Sequence, residues 1–422
     1  MIEPQARRAI RNTILAQCAG SMGGLVFLNG FMLAYLSQLG IASANILLLL
    51  ALPSVIRFLL LVPGAFLSDR FGKKPLGTMG LMGNVLGFSL LPFVALLPPA
   101  WVGAGAAIGI AASTVGLTLF SSSWFALLSP IVPEHERGRF FGRLRLSWQT
   151  FGLAFTLLAT AVLRAHASMS AFQALLGVVA FLLFVRILFY VRIPELDRVR
   201  GRGRRFGESL IYVLRIPGYF PFCCYLLVLM LFSGACPWLF GLLEKDVLGF
   251  GDDQIVLMGN LLFAGSILGY FVGGTMVDRF GTRPVFLFCH LSFGAILFLF
   301  LGRGLSPLSM MVTVGFLTAC FGFALAASSI AISSELLALI PKEDKSLSTA
   351  FSLTLQDAGR SLAAAFSAQA IKLGVLNSSW SLFGQRMSEY DTLILGCAIM
   401  VTLLVVTLGL IPSVIRQAQR MP

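Results

Sequence analysis

Little in this sequence is charged. Asp, Glu, Lys and Arg make up 12% of its 422 residues, against about a quarter in an ordinary soluble domain. Histidine is scarcer still: there are three, and His135, His166 and His290 fall in separate loops or apolar runs. The seven cysteines (Cys18, Cys223, Cys224, Cys236, Cys289, Cys320, Cys397) lie in or beside apolar runs without ligand spacing, so they read as small hydrophobes rather than disulfides or metal ligands. No glycine-rich nucleotide loop leads from a strand. These shortages exclude an enzyme built on a histidine, metal or nucleotide centre, and no cofactor is expected. What fills the chain instead is apolar: 57% of residues are hydrophobic and mean hydropathy is +0.89. Such a chain cannot bury its apolar residues and keep a polar surface, so lipid must be its solvent. The net charge of +13 would suggest nucleic acid in a soluble protein, but in lipid basic residues mark the cytoplasmic side, and no nucleic-acid partner is expected.

Twelve apolar segments follow one another, each near the ~20 residues a bilayer requires. They run at about 12–37, 43–66, 76–97, 100–128, 142–164 and 170–192, then 217–242, 254–276, 285–303, 307–333, 347–371 and 390–412. The basic start (Arg7, Arg8, Arg11) resembles a signal peptide, but the first segment is too long and lacks a clear small-residue cleavage site, so it reads as segment 1. With the N-terminus inside, 23 of the 31 Lys and Arg fall in cytoplasmic loops and termini and five in outside loops. The remaining three, Arg57, Arg186 and Arg360, lie within segments, and Arg186, near the end of segment 6, is expected to snorkel. The bias puts both termini in the cytoplasm, of a bacterial inner membrane.

The chain is also a duplication. GAFLSDRFGKKP at 64–75 recurs as GGTMVDRFGTRP at 273–284 with six of twelve positions identical, each copy a tight polar turn between two apolar helices. VPEHERGRFFG at 132–142, with Arg137 and Arg139, corresponds to IPKEDKSLSTA at 340–350. The one long charged stretch, ELDRVRGRGRRFGES at 195–209, reads as a solvated linker against anionic head groups. The expected organisation is an N-terminal six-helix bundle over 1–192, a basic cytoplasmic linker over 193–216 and a C-terminal six-helix bundle over 217–422.

The pattern G-x-x-x-x-D-R-x-G followed by two further positions of basic bias, after a second hydrophobic segment, resembles the signature loop of the major facilitator superfamily of membrane transporters. The resemblance covers the whole chain. It implies an all-α membrane protein with twelve transmembrane helices in two pseudo-symmetric bundles. It also implies a cytoplasmic gate made of Gly64, Asp69, Arg70, Gly72, Lys73 and Lys74 with Gly273, Asp278, Arg279, Gly281 and Arg283, joined by Arg137 and Arg139. In this gate Asp69 would meet the start of segment 11 near residues 346–348, and Asp278 the start of segment 5 near 138–141. Gly64 would let segments 2 and 11 approach, and Gly72 would permit the turn. The bland reading of Asp69 is a plain helix cap and topology signal.

Charge within a span is costly and usually functional. Segment 11 carries Gln356, Asp357 and Arg360; the last two are three apart and share a helix face, near the depth at which secondary transporters bind cargo. Beside the substrate reading stands a structural one, a self-neutralising pair that steadies the bundle. The duplication matches Gln149 and Trp148 to Asp357 and Gln356, and Arg57 and Asn29 are further intramembrane candidates, with Trp124, Trp238 and Asn260 weaker ones. Asp357, Glu335 and His290 are the titratable groups available for coupling. Segment 4 lacks an arginine and segment 5 a Gly-Pro motif, a departure from the pattern of drug/proton antiporters in that superfamily. The expectation is a monomer moving a small solute, with Arg360 favouring an organic anion, alone or in symport with a proton or sodium ion. A transporter-like scaffold or sensor and a lipid-moving protein are the alternatives.

Overall fold

In hydrocarbon a backbone has no hydrogen-bond partner but itself, and long apolar runs therefore become helices. The computed structural model describes residues 4–128, 131, 137–196, 211, 213–340, 345–376 and 380–409. In chain order they form α1 (Pro4–Leu28), α2 (Phe31–Gln38), α3 (Ser43–Phe71), α4 (Lys73–Leu90), α5 (Pro99–Leu128), α6 (Arg137–Ala165) and α7 (Met169–Tyr190). There follow α8 (Tyr219–Ser233), α9 (Cys236–Asp246), α10 (Asp252–Phe280), α11 (Thr282–Leu301), α12 (Met310–Leu339), α13 (Lys345–Lys372) and α14 (Glu389–Leu404). A two-residue hairpin, Ser381–Leu382 with Gln385–Arg386, is the one described departure from helix-and-turn structure.

Ten spans among the described residues are long and apolar enough to cross a membrane, α8 and α9 together counting as one. α1 and α2 form an eleventh, bent by 59°. α13, at 28 residues, is long enough to cross but more polar. This is the expected all-α membrane architecture, with two differences in detail. Segment 1 is two helices, because Asn29 and Gly30 interrupt it and Gly30 takes φ 77°. The polar turns expected over 64–75 and 273–284 shrink to single residues. α3 runs on to Phe71 and α4 starts at Lys73, with only Gly72 (φ 100°) between them; Gly281 (φ 86°) does the same between α10 and α11. Only glycine adopts such angles without strain, which is why both copies keep it.

Contacts divide the chain into two units: Met1–Phe27, Tyr35–Ile41 and Leu52–Ser209 form one, and Leu28–Ala34, Ala42–Ala51 and Leu210–Pro422 the other. Lipid supplies no hydrophobic drive between helices, so close packing of small residues holds each unit together. In the first, Gly116 of α5 presses on the backbone of Gly80, Gly83 and Asn84 in α4, and the Asn84 amide donates to the Ser113 carbonyl at 2.9 Å. In the second, Gly265 and Gly269 of α10 lie on the carbonyls of Ala319 and Phe323 in α12, and Gly322 of α12 on that of Leu262. The signature glycines obey the same rule: Gly64 lies against Ser122 of α5, and Gly273 against Ala327 of α12.

A β-carbon at Gly322 would sit 2.0 Å from the Leu262 carbonyl oxygen, so Gly322→Val must force α10 and α12 apart. We expect a loss of about 1–3 kcal/mol, read as a lower thermal midpoint in detergent. Gly274→Ala, which meets open space, should leave the midpoint unchanged.

Candidate functional site

The duplicated loops are held by different carboxylates. At the first, Glu195 caps α4, accepting from the Lys73 and Lys74 backbone N–H groups at 2.9 and 3.3 Å; a carboxylate there satisfies free N–H groups and opposes the positive helix end. At the second, the Thr282 hydroxyl opening α11 donates to Glu335 of α12 at 2.6 Å. Sequence reading gave a capping role to Asp69 and missed Glu195, whose only signal was its place as the first acidic residue after segment 6. The Arg70 and Arg279 guanidiniums lie over the next ring in sequence, Phe71 and Phe280, at 5.7 and 5.4 Å. Asp278 is exposed, and Lys73, Lys74 and Arg283 are half-buried. The side chains of Asp69, Arg137, Arg139 and residues 138, 141 and 346 lie outside the described residues, and with them most of the expected gate contacts.

α13 brings the predicted polar residues of segment 11 together. Arg360 donates to Asp357 at 2.9 Å, Asp357 being buried and Arg360 about a third exposed (34%). Gln356 is buried, with its amide 3.4 Å from the Ser352 hydroxyl and carbonyl. Two glycines let α13 come this close to the preceding span: Gly359 lies on the Leu227 carbonyl of α8, and Gly234, at the α8–α9 break, lies on the stem of Arg360. The pair therefore stands beside the short interruption between α8 and α9.

In the first unit, Gln149 is buried with its amide nitrogen unpartnered. Trp148 packs on a cluster containing Phe120, Trp124 and Tyr190. Arg57 is half-buried. Asn29 sits at the α1–α2 break, its carbonyl oxygen accepting from the Phe31 N–H at 3.3 Å while its amide nitrogen finds no partner; the Asn29 backbone lies against Gly259 of α10, next to Asn260.

Arg186 does not snorkel. It is 3% exposed, because Gly20 of α1 leaves a slot for its side chain that ends with the guanidinium 4.0 Å above the Phe120 ring. Three further groups escaped the sequence reading or changed role. Arg303, assigned to an outside loop, is buried against Asp391 in a two-bond ion pair. Glu244 of α9 is buried with one carboxylate oxygen unpartnered. His290 is fully buried between the Tyr225 hydroxyl (3.1 Å) and the Ser328 hydroxyl (2.6 Å), with its ring stacked on Phe293. The partners of His290 and Arg303 carried no signal in sequence, since residues 65 and 88 positions apart show no spacing pattern.

Residues 14–364 match the family model of the Major Facilitator Superfamily. Among curated relatives, the multidrug resistance protein MdtH of Yersinia pestis (strain Pestoides F) is 28% identical over 194 residues, 44% of this chain and 46% of the relative. The MdtH of Yersinia pseudotuberculosis (serotype O:1b) matches to the same extent. The chain thus aligns with under half the length of these relatives. Among solved structures, a POT family transporter in complex with 5-aminolevulinic acid gives a TM-score of 0.71 at 13% identity, covering 96% of each chain. A D-xylose-proton symporter gives 0.70 at 13%, covering 94% of this chain and 96% of the other. The nucleoside transporter NupG gives 0.67 at 12%, covering 96% and 98%. At such identities these likenesses speak for the fold alone.

Truncating one partner of a buried ion pair costs about 3–5 kcal/mol, because the other charge is left unpaired. Arg303→Met should therefore lower the thermal midpoint far more than Arg386→Met, which alters an exposed residue. Arg303→Met with Asp391→Leu should recover part of the loss.

Proposed function

The chain belongs to the major facilitator superfamily of membrane transporters, and on that premise we propose that it carries a small solute across a bacterial inner membrane by alternating access. The observation that carries this reading is the Asp357–Arg360 pair at 2.9 Å, a polar group inside a span and beside a helix break. Here Arg360 is 34% exposed while Asp357 is 3% exposed, so the cation keeps donors facing outward from the pair. Those donors suit an organic anion. The loops at 64–75 and 273–284 act as the cytoplasmic gate between two six-helix bundles, over 1–192 and 217–422, with Glu195 fixing the angle at which α4 leaves the first loop. The protein works as a monomer with both termini in the cytoplasm.

Coupling follows from the same pair. Protonating Asp357 would release Arg360 to the anion, and re-pairing of Arg360 with Asp357 would expel both, so pairing competes with protonation while anion binding and protonation favour each other, as a symporter requires. A second reading, export of drug-like compounds, is favoured by the multidrug resistance relatives over 44% of the chain. Against it, segment 4 has no arginine and segment 5 no Gly-Pro motif.

Asp357→Asn keeps the side-chain shape and removes the charge and the proton site. In proteoliposomes the variant should lose its response to an imposed pH gradient while retaining exchange of solute across equal pH. Unaltered gradient-driven uptake would remove Asp357 from the coupling mechanism, and uptake that follows a sodium gradient instead would replace the proton.

A further inference from the structure

Arg186, Arg303 and Arg360 are satisfied to different degrees. Arg303 has Asp391 and Arg360 has Asp357. Arg186 has no carboxylate within ion-pair distance among the described residues, although at 3% exposure it is far drier than Arg360. Its polar contact is one long hydrogen bond to the Gln17 side-chain oxygen, at 3.5 Å. Its Nε is buried without an acceptor. The Phe120 ring beneath the guanidinium offsets part of the desolvation cost, but an unneutralised charge in a span remains expensive.

Two further buried groups, on α6 and α7 of the same unit, have the same polarity. The Tyr190 hydroxyl, one turn along α7 from Arg186, is buried beside the Ser123 side chain, and the Gln149 amide nitrogen on α6 is buried with no partner. Trp148, next to Gln149, packs on the aromatic cluster of Phe120, Trp124 and Tyr190. Each group can donate, and neither the Arg186 Nε nor the Gln149 amide nitrogen has an acceptor. We infer that Arg186, with the Gln149 amide, the Tyr190 hydroxyl and the Phe120 ring, forms a binding site in the first unit for a small planar organic carboxylate. The carboxylate would neutralise Arg186 and accept from the free donors, and a flat body would lie among the rings. The inference deepens the transporter reading and rests on it, because a group this buried is reached only when helices move, as they do in a transport cycle.

The test uses the full chain in detergent, its thermal midpoint measured with benzoate, nicotinate and lactate, with neutral benzamide as the shape control and chloride as the inorganic control. At about 100 times its dissociation constant, a bound ligand shifts the folding equilibrium roughly 100-fold. We expect benzoate or nicotinate to raise the wild-type midpoint by several degrees, and benzamide and chloride to leave it in place. Arg186→Gln should abolish the rise. Gln17→Glu supplies an internal counter-charge beside Arg186; it should raise the midpoint without ligand and abolish the response to carboxylates, which keeps the test open if Arg186→Gln does not fold. A carboxylate response that persists in either variant overturns the site, as does a chloride response equal to that of benzoate, or no response to any carboxylate. Counterflow in proteoliposomes separates the two claims. Movement of neutral or cationic solutes with no carboxylate response overturns the site and leaves the transporter. An Arg186-dependent carboxylate response with no solute movement leaves the site and overturns the transporter.

Discussion

Hydrocarbon solvates no charge, and each ionised group that the chain carries into a span must find its partner inside the protein. The dispositions of the buried charges follow from that constraint. Arg303 and Asp391 close on each other with two hydrogen bonds, and the Asp391 carboxylate also accepts from the Ser388 N–H that begins α14. This pair anchors the end of α11 to the start of α14 and leaves the Arg303 Nε as its one buried donor without an acceptor. Asp357 and Arg360 pair by one bond with the cation partly exposed, a looser arrangement that can open. Arg186 has no carboxylate at all among the described residues. The three form a series from structural to reactive, ordered by how completely the charge is satisfied.

Helix contact in this protein depends on a second property of lipid, the lack of any hydrophobic gain from helix association. Close approach of backbones replaces it, and the duplication shows this twice. Gly64 and Gly273, at equivalent places in the repeated loop, lie against the fifth and twelfth helices, and Gly72 and Gly281 turn the chain in one residue. The repeat has kept the backbone geometry and changed the electrostatics: Glu195 caps α4 from beyond α7, whereas Glu335 reaches Thr282 from α12. Geometry imposed by glycine has no substitute, while a carboxylate can arrive from any neighbouring element.

That contrast explains what could be read from sequence. Hydropathy found the spans, because an apolar run of bilayer length has few other fates. The repeated Gly, Asp and Arg located the signature loop, and i, i+3 spacing paired Asp357 with Arg360. Hydropathy missed the break at Asn29 and Gly30, since two residues hardly change an average over twenty, and it set α3 and α10 too short because their ends are polar. It also sent Arg186 to the surface. A long basic side chain near a helix end ordinarily snorkels, and only the absence of a side chain at Gly20, on a different helix, opened an inward slot. Contacts of that kind belong to the packing of elements and leave no trace in spacing.

The central claim is that one position inside the protein is exposed to each side of the membrane in turn. Labelling a single cysteine at position 356, in a background without the seven native cysteines, with a membrane-impermeant thiol reagent tests it directly. In right-side-out and inside-out vesicles the account predicts labelling from both faces, with solute suppressing both. Labelling from one face only, unaffected by any solute, would mean that the helices do not exchange access, and would contradict the claim.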